Sequence, residues 1–121
     1  MVARASLGQF EQLILTAVAA LQEEAYGLEV YSKVCEMAGR EMNLGSMYVT
    51  LERLKQKGYV SSTVAKGGAE RGGRPRHYFK VLPAGAAALR ESMDTATRIS
   101  GAISELDVWQ KLGFKAHPMK K

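Results

Sequence analysis

The stretch Asn43-Leu44-Gly45-Ser46-Met47-Tyr48-Val49-Thr50-Leu51-Glu52-Arg53-Leu54-Lys55-Gln56-Lys57-Gly58-Tyr59 decides the fold. Met47, Leu51 and Leu54 recur at helical spacing and predict a helix that turns these three side chains to a core. Asn43 is a good N-cap and Gly58 a good C-terminal stop. Ser46, Val49, Thr50, Arg53 and Lys57 fall on the other side. That side carries hydroxyls, a methyl-bearing surface and two long cations, with no acid among the five. Such a face suits phosphate and base-edge contacts in a major groove. A solvated surface helix would carry a similar face, so the helix alone leaves the two readings level.

The following segment separates them. Residues 59–66 are rich in Val, Ser and Thr and predict a strand, and residues 76–82, with His77, Tyr78, Phe79 and Val81, predict a second. Between them lies a long glycine-rich hairpin loop, residues 67–75, carrying Arg71 and Arg74, with Arg76 at its exit. Glycines let backbone approach a phosphate closely, and arginines can enter a minor groove. A nucleotide phosphate loop fails on context. The loop lacks a terminal Gly-Lys-Ser/Thr and leads into a strand rather than a helix. From Arg53 to Lys80 the chain carries eight Lys and Arg residues, and Glu70 is the only acid. The net charge of the 121-residue chain is +5. Its excess is therefore concentrated where an anionic partner would be met, and nucleic acid is favoured over membrane.

Upstream, Ser6 with Gln9 predicts the start of a first helix. Leu7, Phe10, Leu13, Ile14, Ala17, Val18 and Leu21 give it an apolar stripe. Tyr26-Gly27 reads either as a defined turn or as a plain helix break. A second helix is expected from about Leu28 to Ala38, with Leu28, Tyr31, Val34, Cys35 and Ala38 inward and Gly39 at its end. Three short helices followed by a basic two-stranded hairpin give the winged-helix order. The predicted fold class is mainly α (α+β), a winged helix-turn-helix with a β wing and a long C-terminal helix.

The chain resembles the PadR family of transcriptional regulators. The likeness runs over residues 6–90. It is carried by Leu7-Gly8 through Leu21, Tyr26-Gly27, Leu44-Gly45-Ser46-Met47-Tyr48 with Leu51 and Leu54, Gly58-Tyr59-Val60, and Gly73-Arg74-Pro75-Arg76-His77-Tyr78-Phe79, closing with Gly85 and Leu89. Leu44 stands where a proline is common, and Leu82 stands where a Thr often caps the next helix. Pro83 at the first helical position partly compensates. Val49 replaces a residue that is often polar or basic. The resemblance implies a homodimeric repressor that binds double-stranded DNA. Its DNA-binding residues would be Ser46, Tyr48, Val49, Thr50, Arg53, Lys57, Arg71, Arg74 and Arg76.

From Pro83 the chain predicts one long helix. Leu89, Met93, Ala96, Ile99, Ile103 and Leu106 step at threes and fours, which suits a seam against another helix. By resemblance, this helix pairs with its mate and with the mate's first helix, so Phe10 joins the dimerisation set. The expected division is residues 1–82 for DNA binding and 83–121 for dimerisation. In the tail, Trp109 reads as a packing anchor. By resemblance it is alternatively a stacking surface for a planar aromatic effector, with Phe10 and Met93 completing the pocket.

No catalytic constellation appears, and neither a metal site nor any other cofactor is expected. Cys35 is the only cysteine, so no intrachain disulfide can form. No apolar leader or stretch of membrane-spanning length is read in the chain, and a cytoplasmic location is expected. The alternatives to a DNA-binding regulator are a winged-helix module that meets an acidic protein and a protein that is primarily a small-molecule sensor.

Overall fold

The computed structural model describes residues 7–65, 76–105 and 108–113. The elements follow in the order α1 (Gln9–Leu21), a 3-10 turn (Gln22–Glu24), α2 (Gly27–Ala38), α3 (Leu44–Gln56), β1 (Val60–Ala65), β2 (Arg76–Val81), α4 (Pro83–Glu105) and a short α5 (Val108–Lys111). β1 and β2 pair antiparallel from Val60 opposite Val81 to Ala65 opposite Arg76. The winged helix-turn-helix expected from the sequence is the fold observed.

One core holds these elements together. Ile14, Leu15, Ala17 and Val18 of α1, Val30 and Val34 of α2, and Met47, Leu51 and Leu54 of α3 are buried. Val60 and Phe79 close the core from the sheet, and Ala88 closes it from α4. The inward stripe of α3 is therefore the one its spacing predicts. For α2 the expectation needs correction. Leu28 is 66% exposed, and Val30 takes the inward place. The helix begins at Gly27 and turns Leu28 outward onto a cleft beside α3.

The helix ends also differ in detail. α1 starts at Gln9 with Gly8 as its N-cap, and the Glu11 carboxylate accepts a hydrogen bond from the Gly8 N–H at 2.8 Å. A carboxylate at the third helical position thus does the work assigned to Ser6 and Gln9, and Ser6 lies outside the described residues. Asn43 caps α3 as expected, its side-chain oxygen accepting from the Ser46 N–H at 2.7 Å. Gly39 and Gly58 adopt φ of +74° and +80° just past α2 and α3, the left-handed backbone that closes a helix.

The turn between α2 and α3 is tied down by two hydrogen bonds. The Tyr31 hydroxyl donates to the Met42 carbonyl at 2.7 Å, and the Met42 N–H donates to Cys35 Sγ at 3.4 Å. Cys35 is half-buried and serves as an acceptor in this turn.

α4 departs from the domain as it lengthens. Its buried residues are Gly85 and Ala88, both in the first two turns, and Leu89 packs partly against the core. Met93 and Ile99 are more than half exposed. At 23 residues the helix is roughly 35 Å long, more than this small domain can cover. Its root is fixed by close approach. The Leu82 N–H donates to the Tyr59 carbonyl at 2.9 Å, and a Cβ at Gly85 would run into that same carbonyl. Gly101, further along, faces nothing within 4 Å. Gly85→Ala is expected to destabilise the protein by about 2 kcal/mol through overpacking. Gly101→Ala should stabilise it by up to about 1 kcal/mol through helix propensity. Urea unfolding of the two variants checks this, and equal effects at both positions would contradict the packing described.

Candidate nucleic-acid interface

α3 presents Ser46, Tyr48, Val49, Glu52 and Arg53 to solvent, with Val49 57% exposed. Two expectations about this face are corrected. Thr50 is 6% exposed and belongs to the core side. Helical spacing explains it. Thr50 lies three residues after Met47 and four before Leu54, within the inward stripe. The face also contains an acid. Glu52 is exposed, lies 3.9 Å from Lys55 Nζ, and shares a shallow surface recess with Tyr48, Val49, Arg53 and Gln56.

Lys57 is not a free cation at the end of the helix. Its Nζ donates to Glu11 Oε2 at 2.9 Å and lies 5.9 Å from the Tyr59 ring centroid. Glu11 thus has two tasks. One oxygen caps α1 and the other ties α1 to the C-terminal end of α3. Burial pushes its carboxyl up. Hydrogen bonds from Lys57 and the Gly8 N–H, and the charges of Lys57 and Arg53, outweigh burial and hold it below its ordinary 4.5.

The wing root adjoins this helix. Tyr26, Gly27, Leu28 and Glu29 at the start of α2, Tyr48, Leu51, Glu52 and Lys55 of α3, and Arg76, His77 and Phe79 of β2 line one cleft of about 580 Å³. Tyr48 reaches back over Gly27, whose missing Cβ leaves room for the Tyr48 hydroxyl. The chain from Tyr26 pairs with the sheet, since Tyr26 bridges Tyr78 and the Phe79 N–H donates to the Ala25 carbonyl at 3.0 Å. Tyr26-Gly27 is neither a plain turn nor a mere helix break, because Gly27 is the first residue of α2 and Tyr26 joins the sheet. It is a third, one-residue strand, and neither hydrophobic period nor turn composition signals a strand that short. Arg76 stands at the loop end of β2, where its guanidinium lies over the Tyr26 ring. Arg71 and Arg74 lie outside the described residues.

The other expected site residues are spread along the molecule. Phe10 is half-buried against the core of its own domain, as is Leu89. Met93 is 55% and Trp109 45% exposed, Ala96 and Ile99 are exposed, and Ile103 is half-buried. Leu106 lies outside the described residues. Among the described residues no group of three or more His, Cys, Asp or Glu could hold a metal ion, and no helix is long and apolar enough to cross a membrane.

A helix-turn-helix packed beside a two-stranded wing, with a long helix leaving the domain, defines a winged-helix protein of the transcription-regulator class. The chain belongs to the PadR-like family of transcriptional regulators, whose sequence profile matches residues 14–91. Solved structures agree. A PadR-like transcription factor from Bacteroides fragilis is 23% identical, with a TM-score of 0.68 over 82% of this chain and 90% of that one. A PadR-like transcriptional regulator from Bacillus cereus is 25% identical, with a TM-score of 0.65 over 79% of this chain and 88% of that one. A protein of Streptococcus mutans is 19% identical and matches 96% of this chain and all of its own length at a TM-score of 0.64. No protein of curated function matches. The membership makes the chain a DNA-binding transcriptional regulator rather than an enzyme.

The Glu11–Lys57 pair has a defined pH signature. The folded pKa of Glu11 is depressed, so its contribution to stability is complete above the unfolded carboxylate pKa. It is lost as pH falls through the folded pKa. Glu11→Gln is expected to cost about 1–2 kcal/mol at neutral pH. The gap from wild type should narrow as the pH drops from about 5 to about 3. Denaturant titrations across that range test it, and a gap independent of pH would rule out the charged pair.

Proposed function

We propose that the protein is a homodimeric repressor that binds a pseudo-palindromic operator, with α3 of each subunit entering the major groove. The observation that carries this reading is the shared cleft. It has Tyr48, Glu52 and Lys55 of α3 and Arg76 of the wing in one lining, which supports a single duplex meeting both elements. Ser46, Tyr48, Val49 and Arg53 are the contacts expected from α3. Thr50 contributes by seating the helix. Lys57 reaches a phosphate only by exchanging Glu11 for it. Arg71, Arg74 and Arg76 grip flanking phosphates or the minor groove.

Residues 1–82 form the DNA-binding part and 83–121 the dimerising part. The stripe of exposed Met93, Ala96 and Ile99 and half-buried Ile103, continued in sequence by Leu106, packs against the mate's α4 and against its α1 near Phe10. Burial against a mate accounts for the apolar residues that α4 carries beyond the core of its own domain. The protein works where DNA is, in the cytoplasm.

Selection of bound DNA from a random pool tests the assignment. A twofold-symmetric consensus is expected, with half-sites about one helical turn, roughly 34 Å, apart. Arg53→Glu and Arg74→Glu should each weaken operator binding more than about tenfold, and each lost phosphate contact should lower the salt slope by ~0.9. Recovery of DNA with no consensus, or variants that bind as well as wild type, would defeat the reading.

A planar aromatic effector between the subunits is the regulatory extension of this reading. The exposure of Trp109 and Met93 on one protomer supports it, because a ring between two subunits needs such surfaces. A ligand that prefers one dimer geometry would shift DNA affinity. Quenching of Trp109 fluorescence by a panel of flat aromatic compounds is expected. A flat response across the panel would leave Trp109 as a packing residue.

A further inference from the structure

We infer that Tyr26 is a positioning residue for DNA binding, holding the Arg76 guanidinium ready at the loop end of β2. The inference rests on the reading of Arg76 as a DNA contact and adds a residue to which that reading gives no role. The Arg76 guanidinium carbon lies 4.0 Å from the centroid of the Tyr26 ring, within cation–π range. Tyr78 meets the same ring edge-on, with centroids 5.2 Å apart and planes at 79°. The platform is anchored through its backbone. The Tyr26 N–H donates to the Glu24 carbonyl at 2.8 Å, and the Tyr26 carbonyl accepts from the Val30 N–H at 2.8 Å as α2 begins. Tyr26 also bridges Tyr78 across the edge of β2.

This geometry leaves the business edge of the arginine available. A guanidinium 4.0 Å above a ring is close enough to meet it with its face, and one that does so keeps its in-plane N–H donors for a phosphate or a base edge. The stack also fixes a long side chain before DNA arrives, which removes ordering entropy from the binding step. Glu29 and Glu52 line the same cleft and would attract a released guanidinium. Arg76 pairs with Ala65, the last described rung of the ladder before the hairpin loop.

The test uses the full chain and a mixed-sequence duplex three helical turns long at low salt, where phosphate contacts dominate. Tyr26→Leu is expected to weaken binding roughly three- to tenfold, and Tyr26→Phe, which keeps the ring face, by less than about twofold. In an Arg76→Ala background, which is itself weakened, Tyr26→Leu should have no further effect. In wild-type protein the Arg76 side-chain protons should show an upfield ring-current shift by NMR, retained in Tyr26→Phe. That measurement stands even if the leucine variant folds poorly. An equal loss from Tyr26→Leu in both backgrounds would show that Tyr26 acts on the fold alone. Poor binding by Tyr26→Phe, or no ring-current shift, would remove the stack. Unchanged binding by Arg76→Ala would instead overturn the DNA role of Arg76, and the inference with it.

Discussion

The seating of α3 on the core is the constraint on which the rest depends. Met47, Thr50, Leu51 and Leu54 are buried together along one side of a helix of 13 residues. That burial orients everything on the opposite side. Rotating the helix by one residue, about 100°, would bring Val49 or Tyr48 inward and turn Met47 and Leu54 out. The exposed set of Ser46, Tyr48, Val49 and Arg53 therefore exists because the inward stripe is filled by side chains of the right size. The caps fix the helix along its axis. Asn43 closes one end and Gly58 the other, and the Glu11–Lys57 pair ties its last turn to α1.

The wing is held by the same economy of contacts. Phe79 and Val60 place one face of the hairpin on the core, and the Ala25–Tyr26 segment pairs along the free side of β2. An edge that would otherwise be open is thereby covered near its root. The result brings β2, α2 and α3 to a common cleft. Aromatic rings from three separate parts of the chain, Tyr26, Tyr48 and Phe79, make its walls. In a small domain these rings place a cation-bearing strand beside α3 without a large core. α4 solves a different problem. Gly85 lets its first turn press against the Tyr59 carbonyl, and the remainder projects away with an apolar stripe uncovered.

Electrostatics around α3 and the wing is more mixed than a count of cations implies. Glu52 stands among the exposed residues of α3 and lies near Lys55. Glu11 holds Lys57, and Glu29 lies in the cleft beside Arg76. Such acids lower the local positive potential and discourage indiscriminate binding to any polyanion. They also mean that a cation such as Lys57 already carries a partner, Glu11. Net charge speaks for a class of partner, whereas the affinity of a given lysine depends on what already neutralises it.

The sequence by itself determined the element order, the inward stripe of α3, the Asn43 cap, the glycine stops and the two strands. Each is a local property, set by side-chain period or by a backbone conformation only certain residues adopt well. It also carried the family, because the motifs around Tyr26-Gly27, Gly45-Ser46 and Arg76-His77-Tyr78 are contiguous short runs. Thr50 could have been placed correctly from spacing alone, since it falls three residues after Met47; its hydroxyl argued for the wrong face. Only the tertiary structure decided that Leu28 points outward, that Glu11 pairs with Lys57 across 46 residues, and that Tyr26 lies under Arg76 across 50. Those pairings follow from how helices and strands dock. Docking is set by the shape of the whole core, which no local window of sequence contains.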